Sequence, residues 1–551
     1  MNQNMSRGAG SAFGGKKYLP LFVILIIGTV LRFYHNLDIS IWHDEAFSAL
    51  LVKYNWSEML YRIGLDVHPP MYYIFLKLWS YLFNNGALAL RGFSIFFGVA
   101  GIWAAWLFVK VGFKSEKAAN WSALLIALNP YIIDFSTEAR MYTFGAFFAL
   151  MAAYFLVKAL EEQKQFSDDQ GLHMPNLPKD ISLRRHYVWH YLAFAIFSGV
   201  AILTHYYLLF TAAALCLYGL IYQIYHYRIK IKKYWEFLAA CVLIAVSFLP
   251  WLKIFIFQVR QVGQGYWIPS MTIWSIPGTL WTILLGVYHN DSGYYTQKIL
   301  IALFLFSIFF FWRFLKKTGS WAKWLVLLAS VFPFLGAIGF LIIAQLKGSG
   351  TSVFQERYFL YAGIFYLIAL SVWLSEIKIK WLAAGLFVSY ALYNLYAFNY
   401  HWQGLDIKNK PGMKEAAKYL SANVEAGHHV FVGTSYEFFN YKYYASTSAK
   451  IPVRPLLYTG GRSDISQISH VEGVAILTNQ DLAPDFNALA NKGDTVWLLW
   501  TYAFGSKRPE VPGNWVVIEQ AEQNQKEQAK EFPDVRPWIG SSIYITQYKV
   551  N

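Results

Sequence analysis

Apolar residues gather in long blocks along this chain, and polar residues are confined mostly to the short stretches between them. A helix needs about 20 mostly apolar residues to cross a bilayer. Eleven runs approach that length, near 18–34, 87–109, 118–135, 141–157, 187–204, 206–227, 235–252, 299–312, 324–345, 358–375 and 381–399. Two further apolar stretches, 69–84 and 271–288, are interrupted or flanked by proline and glycine. They are expected to lie on the membrane or re-enter it without crossing. From Gly404 the pattern changes. MKEAAKYLSANV and EFFNYKYYAS have helical spacing, while HHVFVGT, GVAILT, TVWLLW and NWVVIE are short β-like runs. This alternation predicts a small α/β domain with a partly parallel sheet. The expected architecture is a polytopic α-helical membrane protein of about 11 transmembrane helices plus juxtamembrane helices, residues 1–403. A C-terminal α/β extracytoplasmic domain follows, residues 404–551.

Composition supports this class. Of the 551 residues, 56% are hydrophobic and only 14% charged, against about 25% charged in an average soluble protein. A disordered chain is excluded, and a wholly soluble enzyme fits poorly. The net charge of +15 would suit a nucleic-acid partner, but its distribution does not. The tail from Gly404 carries 15 basic and 15 acidic residues, so the whole excess lies in the apolar part, with 32 basic and 17 acidic. Positive charge there reports membrane topology. With a cytoplasmic N-terminus and eleven crossings, the cytoplasmic segments hold 21 of those 32 basic residues, and the tail lies outside. Lys16 and Lys17 precede the first span without a cleavage site after it, as in an uncleaved anchor. Cys216 and Cys241 both lie in apolar runs, so neither a disulfide scaffold nor a zinc site is indicated.

On that topology the unusual polar residues fall at one membrane face. They are Asp44 and Glu45 in IWHDEAFSAL, His68 in DVHPPMYY, Glu138 and Arg140 in STEARMY, His205 in THYY and Arg357 in ERYF. Asp38, Glu58, Asp66, Asp134 and Glu356 share that face. Charges beside spans are costly in the membrane and tend to face a cavity or one another, which predicts an outward-opening polar cleft. Each residue also has a plain structural use. Asp44 and Glu45 suit the first turn of a helix, where carboxylates meet unpaired N–H groups. His68-Pro69-Pro70 makes a rigid corner. Glu138 and Arg140 can pair locally, His205 fits an interfacial aromatic belt, and Arg357 can anchor a span's end. HDE is not a metal signature at this spacing.

Their order along the chain carries more. A first span, the outer acidic pair, DVHPPMYY, LRGFSIFFG, LNPYIIDFSTEARMY, THYY and ERYF together resemble the GT-C glycosyltransferases. The nearest likeness is to bacterial and archaeal relatives of the protein O-mannosyltransferases and lipid A aminoarabinose transferases, over roughly residues 18–400. The tail beginning KNKPGMKEAAKYL looks like the outer domain of many such proteins. The resemblance implies transfer of a hexose or pentose from a polyprenyl-phosphate carrier to a protein, lipid or polysaccharide acceptor at the outer face of a prokaryotic plasma membrane. It matches Asp44, with Glu45 beside it, to the catalytic carboxylate. Glu138 and Arg140 match a second outer group, and Arg357 an arginine before a late span. His68 stands where the aminoarabinose branch has lysine, which shifts the likeness toward the mannosyltransferases. His68 or His205 would add a donor. No cofactor is required by this chemistry, and a divalent metal near the carboxylates has no further support. Stretch 271–288 with RQVGQGYW suits either a lipid-carrier groove or a helix that only packs. Rival readings are a transporter or flippase of a lipid-linked sugar, a membrane scaffold, and a transferase of a lipid-diphosphate-linked glycan.

Overall fold

The computed structural model describes residues 14–171, 181–228, 230–264, 266–286, 294–348, 351–447, 451–518, 528–535 and 542–551. Arg7 and Lys179 of the basic segments, and the end of stretch 271–288, lie outside the described residues. The apolar part runs through α1 (Gly14–Phe33), α2 (His43–Leu51), α3 (Trp56–Leu65), α4 (Met71–Phe83), α5 (Ala87–Phe113), α6 (Glu116–Leu128), α7 (Pro130–Ser136) and α8 (Tyr142–Gly171). It continues through α9 (Ile181–Ile202), α10 (Tyr207–Tyr227), α11 (Trp235–Gln264), α12 (Ser275–Leu285), α13 (Tyr294–Lys317), α14 (Ala322–Leu346), α15 (Leu360–Ser375) and α16 (Lys380–Gly404). Among the described residues, eight helices are long and apolar enough to cross a bilayer: α5, α8, α10, α11, α13, α14, α15 and α16. The chain is a multi-pass membrane protein. The other three expected spans become α1, α6 and α9. The apolar part of α1 covers only Tyr18–Phe33, α6 has 13 residues, and α9 carries Arg184 and Arg185 in its first turns.

The expected span 118–135 is broken in two, for a covalent reason. Pro130 has no N–H, so it cannot bond the carbonyl of Ile126, and a new helix starts at Pro130. Asn129 caps it, its side chain accepting the Ile132 N–H at 3.2 Å. Arg32, at the end of α1, fills the gap. It donates to the carbonyls of Ile126 at 3.3 Å and Ala127 at 3.2 Å, and to Ser136 Oγ at 3.1 Å. The break thus ties α1 to α6 and α7 by a fully buried arginine. At the centre of the bundle α15 is buried almost throughout, whereas α11, α13 and α14 present most of their apolar surface outward. Gly145 lets α8 approach α10 and α15 closely, since a Cβ there would stand 2.7 Å from Leu208 and 3.1 Å from the Tyr361 hydroxyl.

After α16 the chain forms a mixed sheet with helices α17 (Gly412–Asn423) and α18 (Ser435–Thr447). Its strands are β1 (His429–Val432), β2 (Pro455–Tyr458), β3 (Leu482–Ala483), β4 (Thr495–Thr501), β5 (Trp515–Val517), β6 (Lys530–Pro533) and β7 (Ser542–Val550). Their order is β3-β2-β1-β4-β7-β5, with β6 also on β7. The β1–β2, β1–β4 and β2–β3 pairs are parallel, and everything joined to β7 is antiparallel. The partly parallel sheet was expected. GVAILT was not a strand, however: Val474–Ile476 is a 3-10 turn in a looping strap that follows β2. Gly473 just before it takes a positive φ of 81°, which turns the chain out of an extended path.

This domain is docked, not tethered. Helix α18 lies along α2, and the Tyr444 hydroxyl accepts the Ile41 N–H at 2.8 Å. Ser40 Oγ donates to the Pro411 carbonyl at 2.9 Å. Arg62 on α3 donates to the carbonyls of Ala475 at 2.9 Å and Leu477 at 3.3 Å, holding the strap against the juxtamembrane helices.

Candidate active site

The site begins in the first turn of α2, where His43, Asp44 and Glu45 follow one another. Neighbours on a helix point about 100° apart, so the two carboxylates part company. Glu45 turns inward and is fully buried. It receives Arg91 Nε at 2.8 Å, Arg91 Nη2 at 2.7 Å and the Ala139 N–H at 2.8 Å. Arg91 in turn donates to the carbonyls of Asn36, Ile39 and Ser40. Glu45 therefore joins α2, α5 and the 137–141 loop, and is no part of the cavity wall.

Asp44 turns the other way, with its side chain 22% exposed to a cavity of about 310 Å³. Two arginines from distant segments meet its Oδ2, Arg357 Nη1 at 3.3 Å and Arg140 Nε at 3.7 Å. Burial on its own would raise this carboxyl, but the nearby guanidiniums of Arg140 and Arg357 outweigh it and hold it at about 2. Both contacts fall on Oδ2.

Arg140 is placed by the short loop between α7 and α8. It donates to the Asp44 carbonyl at 3.3 Å and to His68 Nε2 at 3.4 Å. An arginine can only donate, so His68 Nε2 accepts and its protonated Nδ1 donates to Asp66 Oδ2 at 2.8 Å. The proline pair after His68 opens α4, whose Met71 N–H bonds the Leu203 carbonyl at 2.9 Å and fixes the corner against α9. Arg357 sits in the 3-10 turn Glu356–Phe359 that leads into α15. Its guanidinium lies 5.2 Å from the Trp267 ring centre, and the Tyr131 hydroxyl donates to the Glu356 carbonyl at 2.7 Å. The Glu356 carboxylate itself faces Thr282 on α12, 3.1 Å away.

His205, in the turn between α9 and α10, is buried within 4.9 Å of the Tyr358 ring and 6.3 Å of the His68 ring. Burial, with the two arginines nearby, pushes it well below the usual histidine range and keeps it neutral. Its Nδ1 accepts the Tyr207 N–H at 3.3 Å, so Nε2 carries the proton. Glu138 is buried behind this cluster and does not line the cavity. Of the seven sequence-predicted residues, five thus come together: Asp44, His68, Arg140 and Arg357 on the cavity, and His205 at its edge. Glu45 and Glu138 stay outside the cavity wall.

A second, apolar cavity of about 160 Å³ adjoins the first and shares Val67, His68, Tyr266 and Tyr358 with it. Leu209, Phe210, Phe255, Val259 and Phe340 line its far part. Tyr266, from RQVGQGYW, stands at the junction, whereas α12 lines neither cavity. The polar cluster thus opens directly onto a greasy groove. A larger cavity of about 840 Å³, among Lys114, Lys158, Glu161 and Lys164, lies at the opposite ends of α5 and α8 and shares no residue with the cluster. Among the described residues, no three His, Cys, Asp or Glu side chains are grouped as a metal site.

Sequence reasoning missed several wall residues. Tyr142 and Tyr358 each lie within two positions of a residue that was found, and His43 precedes Asp44; all three line the cavity, as does Asp66, which was placed on this face but given no role. Tyr436, His470 and Val471 come from the C-terminal domain, and no local signal marks them.

Residues 67–168 match the model of the dolichyl-phosphate-mannose-protein mannosyltransferase family. No curated protein sequence matches the chain. Among solved structures, ArnT from Cupriavidus metallidurans bound to undecaprenyl phosphate is 13% identical, with a TM-score of 0.55 covering 97% of this chain and 98% of that one. The archaeal oligosaccharyltransferase AglB from Archaeoglobus fulgidus, in complex with an inhibitory peptide and a dolichol-phosphate, is 13% identical over 88% of this chain and 70% of that one, with a TM-score of 0.44. The protein O-mannosyltransferase Pmt1-Pmt2 complex of S. cerevisiae, bound to the sugar donor, is 17% identical over 47% and 34%, with a TM-score of 0.33. The likeness to ArnT extends over essentially the whole of both chains, and the two share a fold.

Proposed function

We propose that this protein is an integral-membrane glycosyltransferase that moves one sugar from a polyprenyl-phosphate carrier to an acceptor hydroxyl. The acceptor lies at the outer face of a plasma membrane, and the C-terminal domain lies outside the cytoplasm. The observation that carries this reading is the Asp44 carboxylate set against Arg140 and Arg357 in a cavity that opens into an apolar groove. An anionic head on a long hydrocarbon chain fits that pairing of surfaces. The family match at residues 67–168 and the undecaprenyl phosphate bound to ArnT support the same ligand class.

The chemistry follows from the groups present. The carrier phosphate binds the two guanidiniums, whose planar forks suit phosphate oxygens. In doing so it takes over the cations that hold the Asp44 proton affinity down, so arrival of the donor makes Asp44 a better base. Asp44 then accepts the acceptor hydroxyl proton as that oxygen attacks the anomeric carbon. The bond from the anomeric carbon to the phosphate oxygen breaks, and the electron pair leaves on the phosphate. Arg140 and Arg357 stabilise the charge that builds there in a water-poor site. His205 Nε2–H supplies a neutral donor at the groove end. One displacement inverts the anomeric centre and requires no covalent sugar intermediate.

The test is release of polyprenyl phosphate from a panel of polyprenyl-phosphate sugars, with native membrane extract supplying acceptor. Wild type should release it from one donor, and Asp44→Asn should lose roughly a hundredfold or more in kcat. Full turnover by Asp44→Asn would remove Asp44 from the base role. Release only from a diphosphate-linked donor would replace the donor class.

A further inference from the structure

The C-terminal domain does more than cover the cavity: it supplies part of the wall. Tyr436 from α18 and His470, Val471 and Gly473 from the strap face the same space as Asp44. His470 is built into place. Ser469 and Glu472 close a capping box around its turn, and Arg462 grips Glu472 with two bonds of 2.9 and 2.8 Å. Arg62 fixes the same strap from the membrane side. The His470 ring stacks on Tyr266, with planes 9° apart and centres 6.0 Å apart. Its Nε2 is buried and has no hydrogen-bond partner. An unpaired buried polar atom costs about 1–3 kcal/mol, a cost that a hydroxyl brought within reach of this nitrogen would offset. Burial also pushes this imidazole below its ordinary range, which keeps it neutral and suits it to hydroxyls better than to phosphate.

Position narrows the partner further. Tyr266 and Trp267 are consecutive, one carrying the His470 ring and the other lying beneath the Arg357 guanidinium. A sugar bonded to a phosphate on Arg357 would therefore sit one ring away, against His470. We propose that His470, from the soluble domain, contacts the transferred sugar, its Nε2 hydrogen bonding a ring hydroxyl and thereby setting donor-sugar specificity. This rests on the glycosyltransferase reading above.

The experiment compares full-length wild type, His470→Ala and His470→Gln for binding of bare undecaprenyl phosphate and of undecaprenyl-phosphate mannose, glucose and arabinose. Steady-state transfer is measured alongside. His470→Ala should weaken the preferred sugar-loaded carrier roughly tenfold, raise its KM more than it lowers kcat, and leave bare undecaprenyl phosphate bound as in wild type. His470→Gln, which keeps a hydrogen-bonding end, should recover most of that loss. If wild type discriminates the sugars but His470→Ala weakens all carriers alike, or none, this proposal alone fails. A change confined to acceptor KM would also overturn it. If wild type binds no carrier and releases none, the glycosyltransferase reading falls, and this inference with it.

Discussion

Asp44 and Glu45 are adjacent carboxylates with different work, and the difference lies in what surrounds each. Asp44 has the cavity on one side and two cations on the other, while Glu45 has no exposed surface and is bonded to Arg91 and a backbone N–H. Removing one member of a buried pair strands the other, typically at about 3–5 kcal/mol. Glu45→Gln should therefore lower the melting temperature in detergent markedly, while the folded fraction keeps turnover per molecule. A variant that melts like wild type yet is inactive would instead put Glu45 into the chemistry. Arg91 lies in LRGFSIFFG, a motif that carried part of the family resemblance without revealing the partner; only the fold shows that its arginine faces Glu45.

At the scale of elements, α18 illustrates a cost inside the soluble domain. Its Glu437 is buried, and burial together with the nearby Asp534 carboxylate raises it to about 8. The folded domain thus holds a proton that the unfolded chain gives up near pH 4.5. Between those two values the folded state binds more protons, so stability falls as pH rises and levels off above about 8. Glu437→Gln should flatten that part of the profile and melt at a higher temperature than wild type at pH 8.5, measured by thermal denaturation across pH. An unchanged slope would show that Glu437 ionises as an ordinary surface carboxylate. A comparable local rule governs the α6–α7 break. Pro130 dictates that the helix must be interrupted, but the rescue of the freed carbonyls by Arg32 requires α1 to be alongside.

On the scale of the whole molecule, the proposed transfer requires two parts of the chain to hold register. Arg62 joins α3 to the strap bearing His470, through backbone carbonyls that a side-chain change in the strap cannot alter. Arg62→Ala should loosen residues 463–481 and expose them to limited proteolysis. Transfer should fall about tenfold or more, because misplacing one wall of a cleft by an ångström is already costly. Cleavage and transfer both unchanged would mean that the α18–α2 contact alone positions the domain.

What the chain determines by itself follows from rules that act over a few residues. Apolar runs of bilayer length become helices, Pro130 ends one, and alternation of short β and helical patterns yields a mixed sheet. The candidate residues that were legible, Asp44, His68, Arg140, His205 and Arg357, stood out because a charge or imidazole beside an apolar run is costly and so conspicuous. Tertiary structure decided the rest. Which of Asp44 and Glu45 faces the cavity depends on where Arg91 lies, 46 positions along. The pairing of Arg357 with Asp44 spans 313 positions, and His470 meets a cavity built by helices far upstream. Contacts of that kind leave no periodicity in the sequence, since they arise from packed surfaces meeting in space.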